Sequence, residues 1–144
     1  MPEFDFVAKN DVERNHLFTF ARGLSAEDLR HPMPAGWSVA AVLVHLAFWD
    51  LRALTLIQKW QAEGVAPSPL DTDVVNEATR RLFLAIDGQA AVELACSAAA
   101  AVDQAIAQLS PEMVNTIQTV ATNVRLERAA HRRLHIAEIQ QALA

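Results

Sequence analysis

The chain has 144 residues, of which 52% are hydrophobic and 20% charged, and its formal net charge is −5. These values fit one soluble globular domain and exclude a disordered chain. The acidic balance argues against nucleic acid as a partner, because phosphate binding needs clustered Lys and Arg. A single Cys excludes an internal disulfide and suits a reducing compartment. With no secretory leader or long apolar run, we expect a cytoplasmic protein without a membrane partner.

Helical patterns recur along the chain, whereas signals for β-strands are scarce. The first helix is expected over about residues 10–24, with Asn10 or Asp11 as its N-cap. A short helical turn follows at Ser25. Residues 31–36 then form a break, because two prolines and a glycine cannot continue a helix.

The second long helix is predicted over 39–63, with Ser38 as its N-cap and Gly64 beyond its end. Apolar residues recur there at alternating steps of three and four, which is typical of the inward stripe of a bundle helix. That stripe consists of Val39, Val42, Leu46, Trp49, Ala53, Leu56 and Trp60.

A third helix is predicted over about 73–87, capped by Asp71 or Thr72, and Gly88 either breaks it or lies within one long bent helix. Its predicted inward residues are Val75, Ala78, Leu82 and Ile86. An Ala-rich fourth region carries the same alternating stripe through Val92, Ala95, Ala99, Val102, Ile106 and Leu109.

Pro111 marks a further break, and a final helix is predicted over about 118–143. Four principal helices joined by one or two long connections predict an all-α fold, namely a four-helix bundle. We find no internal repeat or boundary, so residues 1–144 are expected to form a single domain.

His131 and His135 lie one helical turn apart, so their imidazoles share a face of the final helix and could chelate one metal ion. Glu127 and Glu138 extend that face and could accept the second imidazole N–H of a ligating histidine. The alternative is a solvated face on which each histidine pairs with its neighbouring glutamate.

His45 is the best third ligand, although a histidine inside an apolar stripe is often a core residue with one hydrogen bond. Asp50 and Arg52 could reach the mouth of a site, or could form a solvated pair with each other. Cys96 resembles a small buried hydrophobe and a poor nucleophile, because no basic neighbour lowers its pKa. His16 and His31 are interpreted as surface or loop residues without a functional role, and Asn76 as a polar residue in the first turn of its helix.

Three segments together resemble the DinB-like superfamily. Residues 36–50 resemble its "GWSxxxxLxHLxxWD" segment, residues 75–77 resemble the start of its third helix, and residues 131–139 resemble its "HxxxHxxxI" ending. The order and spacing agree over nearly the whole chain. Residues 123–128 depart from the acidic–aromatic pattern expected ahead of that ending.

The resemblance implies an antiparallel bundle with up-down-down-up topology and long crossover connections. It also implies a divalent metal ion, commonly zinc or nickel, on three histidines that correspond to His45, His131 and His135. Members of the family often form homodimers. Some are enzymes that use a low-molecular-weight thiol, namely mycothiol-dependent maleylpyruvate isomerase and bacillithiol S-transferase. Catalytic residues beyond the ligands stay unknown.

Two kinds of function follow. The first is a metal-dependent enzyme for thiol transfer, isomerisation or hydrolysis of a small-molecule substrate. The second is a non-catalytic bundle that binds a small ligand, with Trp49 and Trp60 as a lining, or that dimerises, with a structural or vestigial metal site. An apolar face left for dimerisation is expected on the Ala-rich fourth region. Because ligating histidines must be neutral, metal affinity should fall below about pH 6.

Overall fold

The computed structural model describes residues 4–144, so residues 1–3 of the predicted domain lie outside the described part. In the described part, the helices are α1 (Asp5–Arg22), α2 (Ala26–Arg30), α3 (Val39–Glu63), α4 (Thr72–Phe83), α5 (Gly88–Ala107), α6 (Pro111–Val120) and α7 (Ala129–Leu143). The strands β1 (Pro32–Met33) and β2 (Trp37–Ser38) pair antiparallel around a 3-10 turn at Pro34–Gly36. The predicted all-α class is confirmed.

The long helix α3 begins and ends where the sequence predicts. The Ser38 hydroxyl accepts a hydrogen bond from the Ala41 amide at 3.1 Å, which satisfies one of the free N–H groups at the helix start. At the other end, Gly64 has a φ of 94°, a conformation that a glycine adopts without steric cost. Together the two residues fix a helix of 25 residues.

Four long helices surround the interior. Helix α3 packs most extensively against α5, while α1 contacts both α5 and α7, and α3 also contacts α7. The alanines of α5 that face α3 allow this close approach, since Ala91, Ala95 and Ala99 are buried. The bundle topology and its up-down-down-up order stay predictions.

Two apolar clusters form the core, one at each end of α3. The first includes α3 residues up to Leu46, and the second begins on α3 at Ala53. Between them along the helix lies Asp50, whose side chain is buried. A buried charged layer at Asp50 therefore separates the two apolar clusters. This charged layer adjoins the candidate site described below.

The predicted inward face of α4 is wrong in part: of its four residues, Val75 and Ile86 are half-buried, and Ile86 packs against the first apolar cluster. Ala78 and Leu82 are exposed, whereas Phe83 is buried and Asn76 is half-buried. The hydrogen bond from the Trp49 indole N–H to Asn76 Oδ1, at 3.0 Å, holds the polar face of α4 toward α3. As a result, an apolar stripe on α4 faces solvent.

The predicted final helix, 118–143, is two helices separated by residues 121–128. Its first part belongs to α6, which begins at Pro111, with Ser110 as its N-cap. The intervening segment buries Ala121, Val124 and Leu126 in the second apolar cluster. The burial of these side chains and the cap described below favour a connection over a continuous helix.

Helices α3 and α5 are long and apolar enough to cross a membrane, judged by length and composition alone. In this fold, 61% of the most apolar segment of α3 and 50% of that of α5 are buried against the rest of the chain. Core helices of soluble proteins meet the same criterion, so the two helices are consistent with a soluble protein. The cytoplasmic location stays a prediction.

Candidate metal centre

Helix α3 supplies His45, whose side chain is 7% exposed. The ring lies edge-on to two indoles, with centroid distances of 5.4 Å to Trp37 and 6.4 Å to Trp49. Trp37 comes from β2 and Trp49 from the next turn of α3. The two indoles limit the rotation of His45 and direct its Nε2 atom toward α7.

Helix α7 supplies His131 and His135, and a residue of α1 caps its start. The side-chain oxygen of Asn10 accepts hydrogen bonds from the amides of Arg128 and Ala129 at 2.7 and 3.1 Å. The Asn10 amide donates to the Leu126 carbonyl at 2.9 Å. The prediction that Asn10 begins the first helix is wrong, because α1 begins at Asp5 and Asn10 is buried within it.

The three histidines converge at one point. His131 Nε2 lies 3.1 Å from His45 Nε2 and 3.1 Å from His135 Nε2. All three potential ligand atoms lie within 4.8 Å of one another. Imidazoles bound tetrahedrally to Zn²⁺ at about 2.0–2.1 Å have nitrogens about 3.3 Å apart, so the spacing fits one ion. The group could therefore hold a metal ion.

The histidines are in the protonation state that a metal ligand needs. Burial lowers the pKa of His45 to about 4, with a further contribution from His135. Burial also lowers the pKa of His131 to about 2, and the other two histidines and two arginines add to this shift. The pKa of His135 is lowered by burial as well. The imidazoles of His45 and His131 therefore stay neutral well below pH 6, so competition from protons at these two ligands is expected at a more acidic pH than the ordinary histidine pKa suggests.

One predicted carboxylate partner is present. Glu138 Oε1 lies 3.1 Å from His135 Nδ1, an arrangement in which a carboxylate orients a ligating imidazole. Glu127 makes no hydrogen bond or ion pair to His131 in the described part of the chain. His45 Nδ1 is buried without a hydrogen-bond partner there.

A buried ionic network adjoins the site, and the expected solvated pair of Asp50 with Arg52 is wrong. Asp50 instead accepts hydrogen bonds from Arg128 Nε at 2.8 Å and Arg132 Nη2 at 3.2 Å. Arg132 also binds both carboxylate oxygens of Asp103 at 2.7 and 2.9 Å. Arg132 is 0% exposed, so α7 is tied to α3 and α5 through fully buried charges.

A cavity of about 790 Å³ opens beside the histidines. This volume is within the range of about 300–1,000 Å³ that is common for small-molecule sites. Its wall combines Trp37, Trp49, Val42 and Leu134 with polar and charged groups that include Arg52, Asn76, Arg125 and Glu127. Trp60 does not line this cavity, since it is buried in the second apolar cluster.

Other candidate side chains lie away from the histidines. Cys96 is buried in the first apolar cluster, and burial raises the pKa of its thiol, in agreement with its predicted inertness. His16 contacts Glu13 at 3.3 Å on α1, and His31 lies exposed at the end of α2. Neither belongs to the histidine cluster.

The family model of the DinB superfamily matches residues 10–141. The chain therefore belongs to the DinB superfamily, as the three sequence segments predict. Comparison with curated proteins and with solved structures gives no match. Membership and the histidine cluster together fit a metal-binding DinB-like protein.

Proposed function

We propose that this protein is a metal-dependent enzyme in which His45, His131 and His135 hold a divalent cation, zinc or nickel, beside the substrate cavity. The observation that carries this proposal is the convergence of one buried and two half-buried imidazoles within 4.8 Å at the wall of that cavity. Three protein ligands leave positions open on an ion, which is the arrangement of catalytic rather than structural sites.

The reaction that we propose is the transfer of a low-molecular-weight thiol, an isomerisation or a hydrolysis on a small molecule. When bound, a divalent ion would favour the deprotonated form of a thiol or water beside it. Glu138 holds the His135 ring in place through its Nδ1 atom. Trp37 and Trp49 flank His45 and form an apolar part of the cavity wall beside it.

Metal analysis of the untagged protein tests this proposal. We expect about one zinc or nickel ion per chain in the wild type. His45→Ala and His131→Ala should each lower metal affinity at least tenfold, because each removes one of three ligands. His16→Ala, on the exposed side of α1, serves as the control. A wild type with far less than one ion per chain after reconstitution would refute the proposal.

Activity can be screened with a thiol and a chromogenic electrophile, with rates compared before and after the metal is removed with a chelator. Turnover that is lost on chelation and restored by one equivalent of metal supports an enzyme. The alternative is a small-ligand-binding bundle with a structural or vestigial site. Full metal binding, combined with a triple-histidine variant that still binds ligands in the cavity, would favour that alternative.

We also propose that the protein forms a homodimer through α4 in the cytoplasm. Val74, Ala78 and Leu82 are spaced four residues apart and form one exposed face, with Val74 62% and Leu82 68% exposed. Exposed apolar faces of this kind are typical of protein interfaces. The Ala-rich helix α5 is a weaker candidate than predicted, because most of its apolar stripe packs against α3.

A further inference from the structure

Three arginines line the cavity, and they differ in how their charges are balanced. Arg128 is paired with Asp50 at 2.8 Å. Neither Arg52 nor Arg125 has a carboxylate within ion-pair distance in the part of the chain that the structure describes. The cavity therefore contains positive charge that the protein itself does not neutralise.

Arg52 is fixed in position although it lacks an acidic partner. Its Nη2 atom donates to the Ser68 carbonyl at 2.7 Å and to the Ser68 hydroxyl at 3.2 Å. The guanidinium also lies over the Trp49 ring, 5.6 Å from its centroid. Nε and Nη1 make no hydrogen bond within residues 4–144. The N–H groups of Nε and Nη1 are therefore available to donate hydrogen bonds to an anion.

The surroundings of Arg52 disfavour its charge. Burial lowers the pKa of Arg52, and the nearby charge of Arg128 lowers it further. An anion placed against the guanidinium would offset both effects, and few groups of the protein are available for this. Of the carboxylates in the cavity wall, Glu138 is held by His135, and Glu127 forms no ion pair with Arg52.

The position of Arg52 relative to the histidines sets the size of the ligand. Arg52 follows His45 by seven residues on α3, which is about two turns or 10 Å along the axis and places both on one face. Both side chains line the same cavity. The Arg52 guanidinium lies 5.6 Å from the Trp49 ring, whose centroid lies 6.4 Å from that of His45, so a ligand with its reacting group at the histidines could carry an anion several atoms away.

We propose that the cavity binds a small organic acid whose carboxylate is held by Arg52 while its reacting end lies at the three histidines. This inference deepens the proposed function, on which it rests for the placement of the reacting end. Arg125, at the same wall, adds positive potential without being fixed by other side chains. Arg52 is thus a substrate-anchoring residue, separate from the metal ligands.

Two probes of the same length, 6-mercaptohexanoate and 6-mercaptohexan-1-ol, distinguish the contribution of the carboxylate to binding from that of the thiol. Both carry a thiol at one end, and only the first carries a carboxylate at the other. Calorimetric titration of each is made into the full chain, with and without bound Zn²⁺. We expect the wild type to bind the acid about tenfold more tightly than the alcohol, or about 1.4 kcal/mol, because a hydrogen bond to a charged group is stronger than one between neutral groups. The preference should decline at high salt.

Arg52→Gln should reduce this acid-to-alcohol ratio to about one, because the amide keeps a polar group on α3 but carries no charge. Arg52→Lys should retain part of the preference. Arg81→Gln, on the exposed surface of α4 and outside the cavity wall, is the matched control and should keep the full ratio. Circular dichroism checks that each variant is folded.

The outcomes separate the two proposals. A ratio near one in the wild type, an unchanged ratio in Arg52→Gln, or no binding of either probe at millimolar concentration would overturn the role of Arg52. Alcohol binding that is the same with and without Zn²⁺ would count against thiol placement at the metal site. In that case an Arg52-dependent acid preference would still support the carboxylate site.

Discussion

At the scale of single residues, burial makes the three histidines ready for a metal ion and also sensitive to acid in its absence. In an unfolded chain a histidine takes up a proton with a pKa of about 6.5. In the folded chain the pKa is about 4 for His45 and about 2 for His131. Below pH 6.5 the unfolded state therefore binds protons that the folded state does not.

The metal-free protein should consequently lose stability as the pH falls from 7 toward 4. At pH 5.5 the loss should be about 1 kcal/mol for each of His45 and His131. Urea unfolding at pH 7.5 and 5.5, in the presence of a chelator, measures it. His131→Gln should show a smaller loss between the two pH values than the wild type, and His16→Gln should show the same loss. Equal losses in His131→Gln and wild type would contradict the prediction.

The metal-ligand candidates could be predicted from the sequence, because an i,i+4 pair and a histidine within a distinctive apolar segment are local signals. Of the two alternatives for Asp50, the solvated pair with Arg52 is wrong, and the sequence contains a signal against it. Asp50 follows Leu46 by four residues and precedes Ala53 by three, which places it on the buried stripe of α3. A carboxylate at such a position needs a buried cation, but sequence spacing could not identify Arg132 as its partner.

At the scale of helices, the side chain of Asn10 on α1 acts as the N-cap of α7. Asn10→Ala should destabilise the protein by about 2 kcal/mol, because it removes the cap and leaves the buried amides of Arg128 and Ala129 unpaired. It should also weaken metal binding, since the start of α7 carries His131. Chemical denaturation and competition with a chromophoric chelator measure the two effects.

Asn15→Ala, an exposed residue of the same helix, is the control and should change neither quantity. Asn10→Ala with wild-type stability would show that the cap is dispensable. The cap also explains the misplaced helix boundary. The sequence has no proline or glycine in residues 121–128, so local signals predict a continuous helix, and a side chain 118 residues from Arg128 sets the actual start.

Arg132 joins three helices through charges that are fully buried. Arg132→Met should cost about 3–5 kcal/mol, because Asp50 and Asp103 would stay buried with fewer partners. Its neighbour Arg133 has a side chain that is 56% exposed, and its contact with Glu13 is 3.4 Å. Arg133→Met should therefore cost less than about 1 kcal/mol. The free energy of unfolding in urea compares the two, and costs within 1 kcal/mol of each other would refute the assignment.

At the scale of the whole molecule, the exposed stripe on α4 predicts self-association. Leu82→Glu should shift a dimer to monomer at micromolar concentration, because a charge would be placed within the apolar contact. Val12→Glu changes an equally exposed residue on α1 and is the matched control. Light scattering after size-exclusion chromatography measures the mass. A wild-type monomer at all concentrations would exclude this interface.

The overall class was predictable because the period of apolar residues fixes which segments are helical. The orientation of α4 was not, because both of its faces contain apolar residues, and contacts with α3, such as the Trp49–Asn76 hydrogen bond and the packing of Phe83 against Phe48, select one face. The same limit applies to the cavity. Its wall joins β2, α3 and α4 with α7 and the segment that precedes α7, and these parts of the chain meet only in the folded protein.

The separation of the ligands along the chain has a consequence for biosynthesis. His45 leaves the ribosome 86 residues before His131. At about 5–20 residues per second, this is a delay of roughly 4–17 s. During that interval the nascent chain has only one of the three imidazoles and cannot retain an ion firmly. Under the proposed function, metal loading follows synthesis of α7, so the availability of metal matters to the finished chain rather than during translation.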